Sequence, residues 1–264
     1  MRQLNLKTRE LATPTRVSSP APIETVTLPT EPSVPLESAS KGEVGIIVGA
    51  PGVGKSWFLC KIPNVLVLEL DPEGLRYVDW PVAWMQITSV AQLRGAITQL
   101  IKARDELKYE TIAIDSLTTL EQMLQEEVSE EFGQRFDRIG HGSGWVAVRT
   151  KLIKIINATR RIEKRIIFTA HNTKLLFDNE AMVTIELSGK AKNLVGAAVD
   201  WIGYLRKDED GIRVLDFRHN DVLEFKSRNP FLAGKIIKPA EPDVFFKACY
   251  GQYEEPKAEE EEGE

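Results

Sequence analysis

The sequence contains the run Gly49-Ala50-Pro51-Gly52-Val53-Gly54-Lys55-Ser56, which matches the phosphate-loop pattern G-x-x-x-x-G-K-[ST] at every position. An apolar run over residues 44–48 precedes it, as expected of a buried β-strand. Glycines let the backbone fold tightly enough for successive N–H groups to surround a β-phosphate. Lys55 adds positive charge toward the β- and γ-phosphates, and the Ser56 hydroxyl is a ligand for Mg²⁺. We therefore predict that all eight residues bind a nucleotide.

Length and composition favour one α/β domain with tails. The chain has 264 residues, of which 42% are hydrophobic, and this is enough to bury the core of one sizeable domain. The formal net charge is −5, and the seven glutamates and one lysine of residues 254–264 supply −6 of it. The rest of the chain therefore carries about +1, so the acidic overall charge does not exclude a nucleic-acid partner for the folded part.

Three regions differ in composition. Residues 1–40 contain six prolines among many Ser, Thr and Glu residues, with few large apolar side chains, which predicts a disordered N-terminal arm. Residues 41–250 are predicted to form the folded domain, and residues 251–264 an acidic disordered tail. Both tails are interpreted as solvated segments, with docking on a partner as the alternative.

The cysteines and the hydropathy pattern predict a soluble cytoplasmic protein. Cys60 and Cys249 lie far apart without a metal-ligand spacing, so neither a disulfide framework nor a zinc site is expected. The amino terminus lacks the apolar core of a signal peptide, and no stretch is long and uncharged enough to cross a bilayer. We therefore expect no membrane partner.

An acidic turn follows the second predicted strand, residues 65–70, which is nearly all apolar. The turn reads Asp71-Pro72-Glu73-Gly74. The carboxyl ends of parallel strands line the crevice in which open α/β sheets hold their ligands, so Glu73 is predicted to polarise a water near the γ-phosphate. A solvated turn bent at Gly74 is the competing interpretation.

Asp115 lies at the end of another apolar strand, predicted over residues 111–116. This is the arrangement of a Walker B element, in which the carboxylate must reach Mg²⁺ through its water shell from beneath the phosphate loop. Ser116 follows Asp115 where a glutamate would supply a base, and this leaves water activation to Glu73. Ser56 and Asp115 are the predicted metal ligands.

The remaining pattern predicts a mostly parallel central sheet with flanking helices and an antiparallel meander at one edge. A fourth buried strand, residues 165–172, ends at His171, which is interpreted either as a sensor of the γ-phosphate or as a structural histidine. Lys226 and Arg228 lie two residues apart on the meander, so their side chains point the same way. Helices are predicted over residues 55–61, 91–107, 117–132 and 145–163, and meander strands over 199–206, 212–218 and 222–226.

The order of these parts resembles the RecA-like P-loop ATPases. The likeness is greatest to short phage-encoded, AAA-type nucleotide-binding proteins that look like a bare RecA/RadA core and are linked to single-strand annealing and recombination. It covers about residues 42–235, and the phosphate loop is its most specific motif. RecA itself usually has Gln where His171 stands, and the extra domains with which longer recombinases pair strands are absent.

The resemblance implies a DNA-stimulated ATPase that converts ATP and water to ADP and phosphate with Mg²⁺. It assigns water activation to Glu73 and metal support to Asp115. It places Lys226 and Arg228 at the γ-phosphate bound by the neighbouring subunit of a ring or filament, where a cation supplied in trans increases turnover. The host-cell cytoplasm is the compartment that it implies.

The same resemblance implies contacts with single-stranded DNA through residues 133–144 and 172–196. Both segments contain glycines and cations, as flexible loops that track phosphates do, and we expect residues 133–144 to be a mobile loop. A single-strand-binding protein is a further candidate partner.

Three other functions are consistent with a phosphate loop. A motor or loader in phage DNA replication or packaging is the main alternative. A small-molecule kinase needs a basic lid, for which Asp137-Arg138 is the candidate, and a nucleotide switch needs no hydrolysis at all. A GTPase is disfavoured because Asn172-Thr173-Lys174-Leu175 lacks the Asp of the base-reading N-K-x-D motif.

Overall fold

A computed structural model of the protein describes residues 41–72, 74–177, 180–219 and 225–254. The predicted N-terminal arm, Glu73 and residues 255–264 of the acidic tail lie outside these ranges. Within the described ranges, no helix is long and apolar enough to span a bilayer.

The chain alternates strands and helices, as predicted. The strands are β1 (Val44–Val48), β2 (Val65–Glu69), β3 (Ala83–Gln86), β4 (Thr111–Asp115), β5 (Arg165–Ala170), β6 (Asn172–Phe177), β7 (Glu180–Ile185), β8 (Trp201–Lys207), β9 (Arg213–Asp216), β10 (Lys226–Ser227) and β11 (Ile236–Ile237). The helices are α1 (Lys55–Cys60), α2 (Val90–Lys102), α3 (Leu117–Phe132), α4 (Ser143–Arg160), α5 (Ala191–Ala198) and α6 (Pro242–Cys249).

Nine strands form one mostly parallel sheet in the order β11-β9-β8-β1-β5-β4-β2-β3, with β10 paired to β8. In this sheet, β3, β2, β4, β5, β1 and β8 run parallel to one another. Strands β9 and β10 pair antiparallel with β8, and β11 pairs antiparallel with β9, at one edge. This confirms the predicted fold class. The prediction that the strand near residues 199–206 belongs to the antiparallel meander is wrong, because β8 runs parallel to β1 and is part of the central sheet.

The central strands are buried on both faces. All five residues of β1 and all five of β4 are buried, which explains why these segments read as continuous apolar runs. Helices α2, α3 and α4 cover one face, and α1 and α6 cover the other. The strands of the central sheet run in the same direction. Their carboxyl ends therefore lie together at one end of the sheet, where the phosphate loop begins.

Local signals explain where two of the helices begin and end. The Ser116 hydroxyl accepts a hydrogen bond from the Thr119 N–H at 3.3 Å, so α3 begins directly after β4. Helix α3 ends at Gly133, whose φ of 62° lies in the left-handed region that glycine adopts readily. Ser89 caps α2 in the same way, through the Gln92 N–H.

The two segments proposed to contact DNA contain short turns, strands and part of a helix in place of the open loops that we expected. Residues 133–144 contain two short 3₁₀ turns, Phe136–Arg138 and Gly140–Gly142, and lead directly into α4. Residues 172–196 contain the strands β6 and β7, which pair with each other as a separate antiparallel ribbon, and the first part of α5. The ribbon and α5 are corrections to the sequence interpretation.

Gly45→Ala is expected to destabilise the domain strongly. A Cβ at Gly45 would lie 2.0 Å from the indole ring of the fully buried Trp201, and no flexible side chain end is available to move. Overpacking of this kind costs about 2 kcal/mol or more of the free energy of unfolding, measured by urea denaturation.

Gly95→Ala is the matched control for this substitution. Gly95 lies inside α2, and a Cβ there has no neighbour within 4 Å. The change should raise the free energy of unfolding by about 0.5–1 kcal/mol, because alanine favours a helix over glycine. Equal effects at the two positions would contradict the packing described for Trp201.

Candidate nucleotide-binding site

The predicted phosphate loop connects the carboxyl end of β1 to the amino end of α1, which is the strand–loop–helix context that the motif requires. Gly52 and Gly54 have φ angles of 76° and 104°, a backbone region that costs glycine little. A Cβ at Gly49 would lie 2.7 Å from the carbonyl oxygen of Leu205. The loop therefore needs glycine at these three positions.

Lys55 is buried beneath the loop. Its Nζ atom donates hydrogen bonds to the carbonyl oxygens of Gly49 at 2.9 Å and Ala50 at 3.1 Å. Burial lowers the pKa of this ammonium group, and the nearby carboxylates of Asp115 and Asp71 oppose the shift. The loop thus holds a cation on its inner side, where it can meet a bound phosphate.

Ser56 and Asp115 lie together, as predicted for metal ligands. The Ser56 Oγ donates to the Asp115 Oδ2 at 2.6 Å. Burial raises the pKa of the Asp115 carboxyl, and the hydrogen bond from Ser56 opposes the shift. A hydroxyl oxygen and a carboxylate oxygen are the ligand types that Mg²⁺ prefers, so this pair fits the ion.

Thr169 orients Asp115, and the sequence interpretation missed it. Strand β5 lies between β1 and β4, and the Thr169 hydroxyl donates to the second carboxylate oxygen of Asp115. The carboxylate is therefore fixed on one side by α1 and on the other by β5. The available sequence signal was that Thr169 is a polar residue near the end of an otherwise apolar predicted strand.

The acidic turn after β2 lies beside Asp115. The backbone N–H groups of Leu70 and Asp71 both donate to the Asp115 carbonyl oxygen, at 2.6 and 3.2 Å. The Asp71 carboxylate accepts a hydrogen bond from the Thr119 hydroxyl at the start of α3. Glu73, the predicted base, lies outside the described residues, but the residues before it are held at the correct end of the sheet.

His171 lies where β5 continues into the ribbon. Its N–H donates to the Thr118 hydroxyl at 3.1 Å, and its carbonyl oxygen accepts from the Glu186 N–H at 2.9 Å. The preceding residue, Ala170, accepts from the Gly49 N–H of the phosphate loop at 3.1 Å. His171 is thus near the predicted nucleotide, and its role as a sensor stays a prediction.

Lys226 and Arg228 lie at the opposite end of the sheet. Lys226 pairs with Ile202 at the amino end of β8, whereas the carboxyl end of β8 approaches the phosphate loop. The Arg228 guanidinium donates to the Ala197 carbonyl oxygen at 2.6 Å and is more than half exposed. Burial lowers the pKa of Lys226, and the adjacent charge of Arg228 lowers it further. The structure does not bring these cations to the phosphate loop of their own subunit.

Arg213 was also missed. It begins β9, and its Nε donates to the carbonyl oxygen of Val53 in the phosphate loop at 2.9 Å. The same guanidinium lies 4.7 Å from the centre of the Trp57 ring, one residue after Ser56. Arg213 and Val53 are 160 positions apart in the sequence, so no local pattern indicates this contact.

Comparison with known families agrees with this geometry. A family model described as an AAA domain matches residues 41–229, which is 189 of the 264 residues. The chain belongs to this AAA-domain family. The matched region begins just before β1, ends just after β10 and contains the phosphate loop and Asp115. Membership indicates a nucleotide-binding P-loop ATPase domain. No curated protein matches the chain in sequence.

Asp115→Asn is expected to remove the benefit of Mg²⁺ for ATP binding. The substitution leaves one neutral oxygen where the carboxylate stood, so the affinity for ATP in Mg²⁺ should fall about tenfold or more. The affinity in EDTA should stay as in the wild type. Titration followed by tryptophan fluorescence measures both values, because Trp57 lies beside the loop.

Asp105→Asn is the control, because Asp105 is an exposed carboxylate in the connection from α2 to the amino end of β4, whereas the phosphate loop lies at the carboxyl ends of the strands. It should retain the full difference between Mg²⁺ and EDTA. A wild-type difference in the Asp115→Asn variant would show that Asp115 does not support the metal.

Proposed function

We propose that the protein hydrolyses ATP while bound to single-stranded DNA and acts in recombination or annealing. The observation that carries the proposal is the arrangement of Lys55, Ser56 and Asp115 at the carboxyl end of the sheet, with Ser56 and Asp115 joined at 2.6 Å. The reaction is the attack of water on the γ-phosphate, which yields ADP and inorganic phosphate.

The chain's own groups supply binding and orientation. The loop N–H groups and Lys55 hold the phosphates, and Ser56 and Asp115 would hold Mg²⁺. When bound, the ion neutralises charge on the phosphate oxygens. Thr169 keeps the Asp115 carboxylate in place, so little reorganisation is needed during the reaction. Glu73 is the proposed acceptor of the proton of the attacking water.

The position of Arg228 supports action between subunits. Its guanidinium is far from its own phosphate loop, and more than half of the side chain is exposed at the other end of the sheet. A head-to-tail ring or filament places unlike surfaces of neighbouring subunits together. In such an assembly, Lys226 and Arg228 would reach the γ-phosphate held by the next subunit.

The surfaces proposed for DNA carry exposed cations. Lys174 lies on the ribbon, Lys190 directly precedes α5, Arg135 precedes a 3₁₀ turn and Arg138 ends it. The Trp145 ring packs edge-on against Phe136, and 36% of the residue is exposed, which offers an aromatic face for a base. Cations attract the phosphate backbone, and aromatic rings stack with unpaired bases.

Single-stranded DNA is expected to increase the rate of ATP hydrolysis several-fold. Because the attraction is electrostatic, the increase should disappear as the salt concentration is raised from 50 to about 500 mM. A steady-state phosphate-release assay with a poly-dT oligonucleotide measures the effect. Lys190→Glu should lose much of the stimulation while keeping the basal rate. Equal rates with and without DNA would contradict the proposal, and stimulation by duplex DNA alone would favour a motor or loader.

Mixtures of Lys55→Ala and Arg228→Ala protomers are expected to recover activity that neither variant has alone. Random assembly places the intact halves of the two variants together at about one interface in four, because each interface joins unlike surfaces. The rate of hydrolysis is measured at a fixed total concentration across mixing ratios.

Arg104→Ala supplies the control for these mixtures. Arg104 is an arginine that pairs with Glu163, away from the phosphate loop and the proposed DNA surfaces. Arg104→Ala should be active by itself, and in an equal mixture with Arg228→Ala about half of the interfaces should be competent, twice the share expected with Lys55→Ala, because the Arg104→Ala variant retains both Lys55 and Arg228. No recovery in any mixture would show that Arg228 does not act between subunits.

A further inference from the structure

Glu69 is a buried carboxylate at the carboxyl end of β2, and the nucleotide-binding motifs do not include it. Only 1% of the residue is exposed. Its Oε1 accepts a hydrogen bond from the Leu75 N–H at 2.6 Å. The side chain thus reaches past the acidic turn and binds the backbone on its far side.

Hydrogen bonds consequently fix the backbone before and after the acidic turn. On the near side, Leu70 and Asp71 donate their N–H groups to the carbonyl oxygen of Asp115. On the far side, Leu75 donates its N–H to the Glu69 carboxylate, and Gly74 donates its N–H to the Asp71 carbonyl oxygen at 3.4 Å. Position 73, the predicted base, lies in the sequence between these two sets of hydrogen bonds.

The backbone of Glu69 is fixed as firmly as its side chain. Its carbonyl oxygen accepts hydrogen bonds from the Ile87 N–H at 2.8 Å and from the Gln86 side chain at 3.1 Å. In the parallel pairing of β2 with β4, Glu69 lies opposite Asp115. Glu69 therefore joins the turn to the same strand ends that carry the predicted metal ligand.

We propose that Glu69 is a positioning residue for ATP hydrolysis, because its buried carboxylate binds the backbone directly after the acidic turn, the segment in whose sequence the proposed base Glu73 lies. The inference rests on the proposed function and adds a residue to it. A misplacement of about 1 Å in a reacting group can cost a hundredfold in rate, so the hydrogen bonds of this turn matter for turnover.

The chemistry of position 69 supports this role over simple packing. Burying a carboxylate costs free energy unless hydrogen bonds compensate, and the buried residues Leu68 and Leu70 on either side are apolar. Burial raises the pKa of Glu69, and the bond from Leu75 opposes the shift. A leucine at position 69 could not supply the acceptor atom for the Leu75 N–H.

Gly74 provides an independent test of the same contact. A Cβ at Gly74 would lie 2.9 Å from the Glu69 Oε1, closer than such atoms pack. Gly74→Ala should therefore displace the turn or the carboxylate without touching the phosphate loop. Gly74 is exposed, so this variant is expected to fold.

The experiment compares Glu69→Met, Glu69→Gln and Gly74→Ala in the full-length chain. Glutamine keeps an oxygen that accepts the Leu75 N–H, whereas methionine fills the volume without an acceptor. We expect the single-turnover rate to fall about tenfold or more in Glu69→Met and Gly74→Ala, with ATP affinity within about twofold of wild type. Glu69→Gln should hydrolyse ATP at close to the wild-type rate.

Amide hydrogen exchange supplies a readout that does not depend on hydrolysis. The amide of Leu75 should exchange about tenfold faster in Glu69→Met and at the wild-type rate in Glu69→Gln. Gly95→Ala, which has free space around its Cβ, is the control for substitution at a glycine and should change neither readout.

Several outcomes overturn the inference. Wild-type turnover in Glu69→Met and Gly74→Ala would show that the turn needs no fixing, and a parallel loss of ATP affinity would show a role in binding or folding. Equal loss in Glu69→Gln and Glu69→Met would assign the effect to charge and not to the acceptor. If the wild-type chain does not hydrolyse ATP, the proposed function fails, and unchanged exchange would separately remove the hydrogen-bond argument.

Discussion

One carboxylate-bearing residue joins the parts of the nucleotide site. The side chain of Asp115 binds the Ser56 hydroxyl of α1 and the Thr169 hydroxyl of β5, and its carbonyl oxygen holds the turn after β2. Three separate elements are thereby fixed around one point at the end of the sheet. The desolvation that raises the pKa of this residue is offset by those hydrogen bonds, so the buried acid and its donors depend on each other.

The two ends of the sheet have different chemistry. The carboxyl ends of the parallel strands gather the phosphate loop, Asp115 and the acidic turn, whereas the amino end of β8 carries Lys226 and Arg228. This polarity follows from parallel pairing, since every strand of the central sheet points the same way. Within one copy, the structure therefore keeps Lys226 and Arg228 apart from the phosphate loop.

Patterns within short segments predicted much of the fold and of the site. The phosphate loop, the apolar runs of β1, β2, β4 and β5, and the extent of α3 were readable because both faces of the strands are buried and because Ser116 and Gly133 cap the helix. Strand β3 was missed because it is short and lies at the sheet edge, with Trp84 and Met85 about half exposed. Thr169 and Arg213 contact residues that are 54 and 160 positions away in the sequence, and no spacing along the chain encodes such contacts.

A single residue separates β5 from the ribbon. Ala170 accepts a hydrogen bond from the phosphate loop. The next residue, His171, donates its N–H to Thr118 in α3, and its carbonyl oxygen accepts from Glu186, directly after β7. Because one residue joins them, the end of β5 and the start of β6 cannot move far relative to each other. A displacement of the phosphate loop that moves Ala170 would therefore also move His171 and the first residues of β6, so the placement of the ribbon depends on the end of the central sheet.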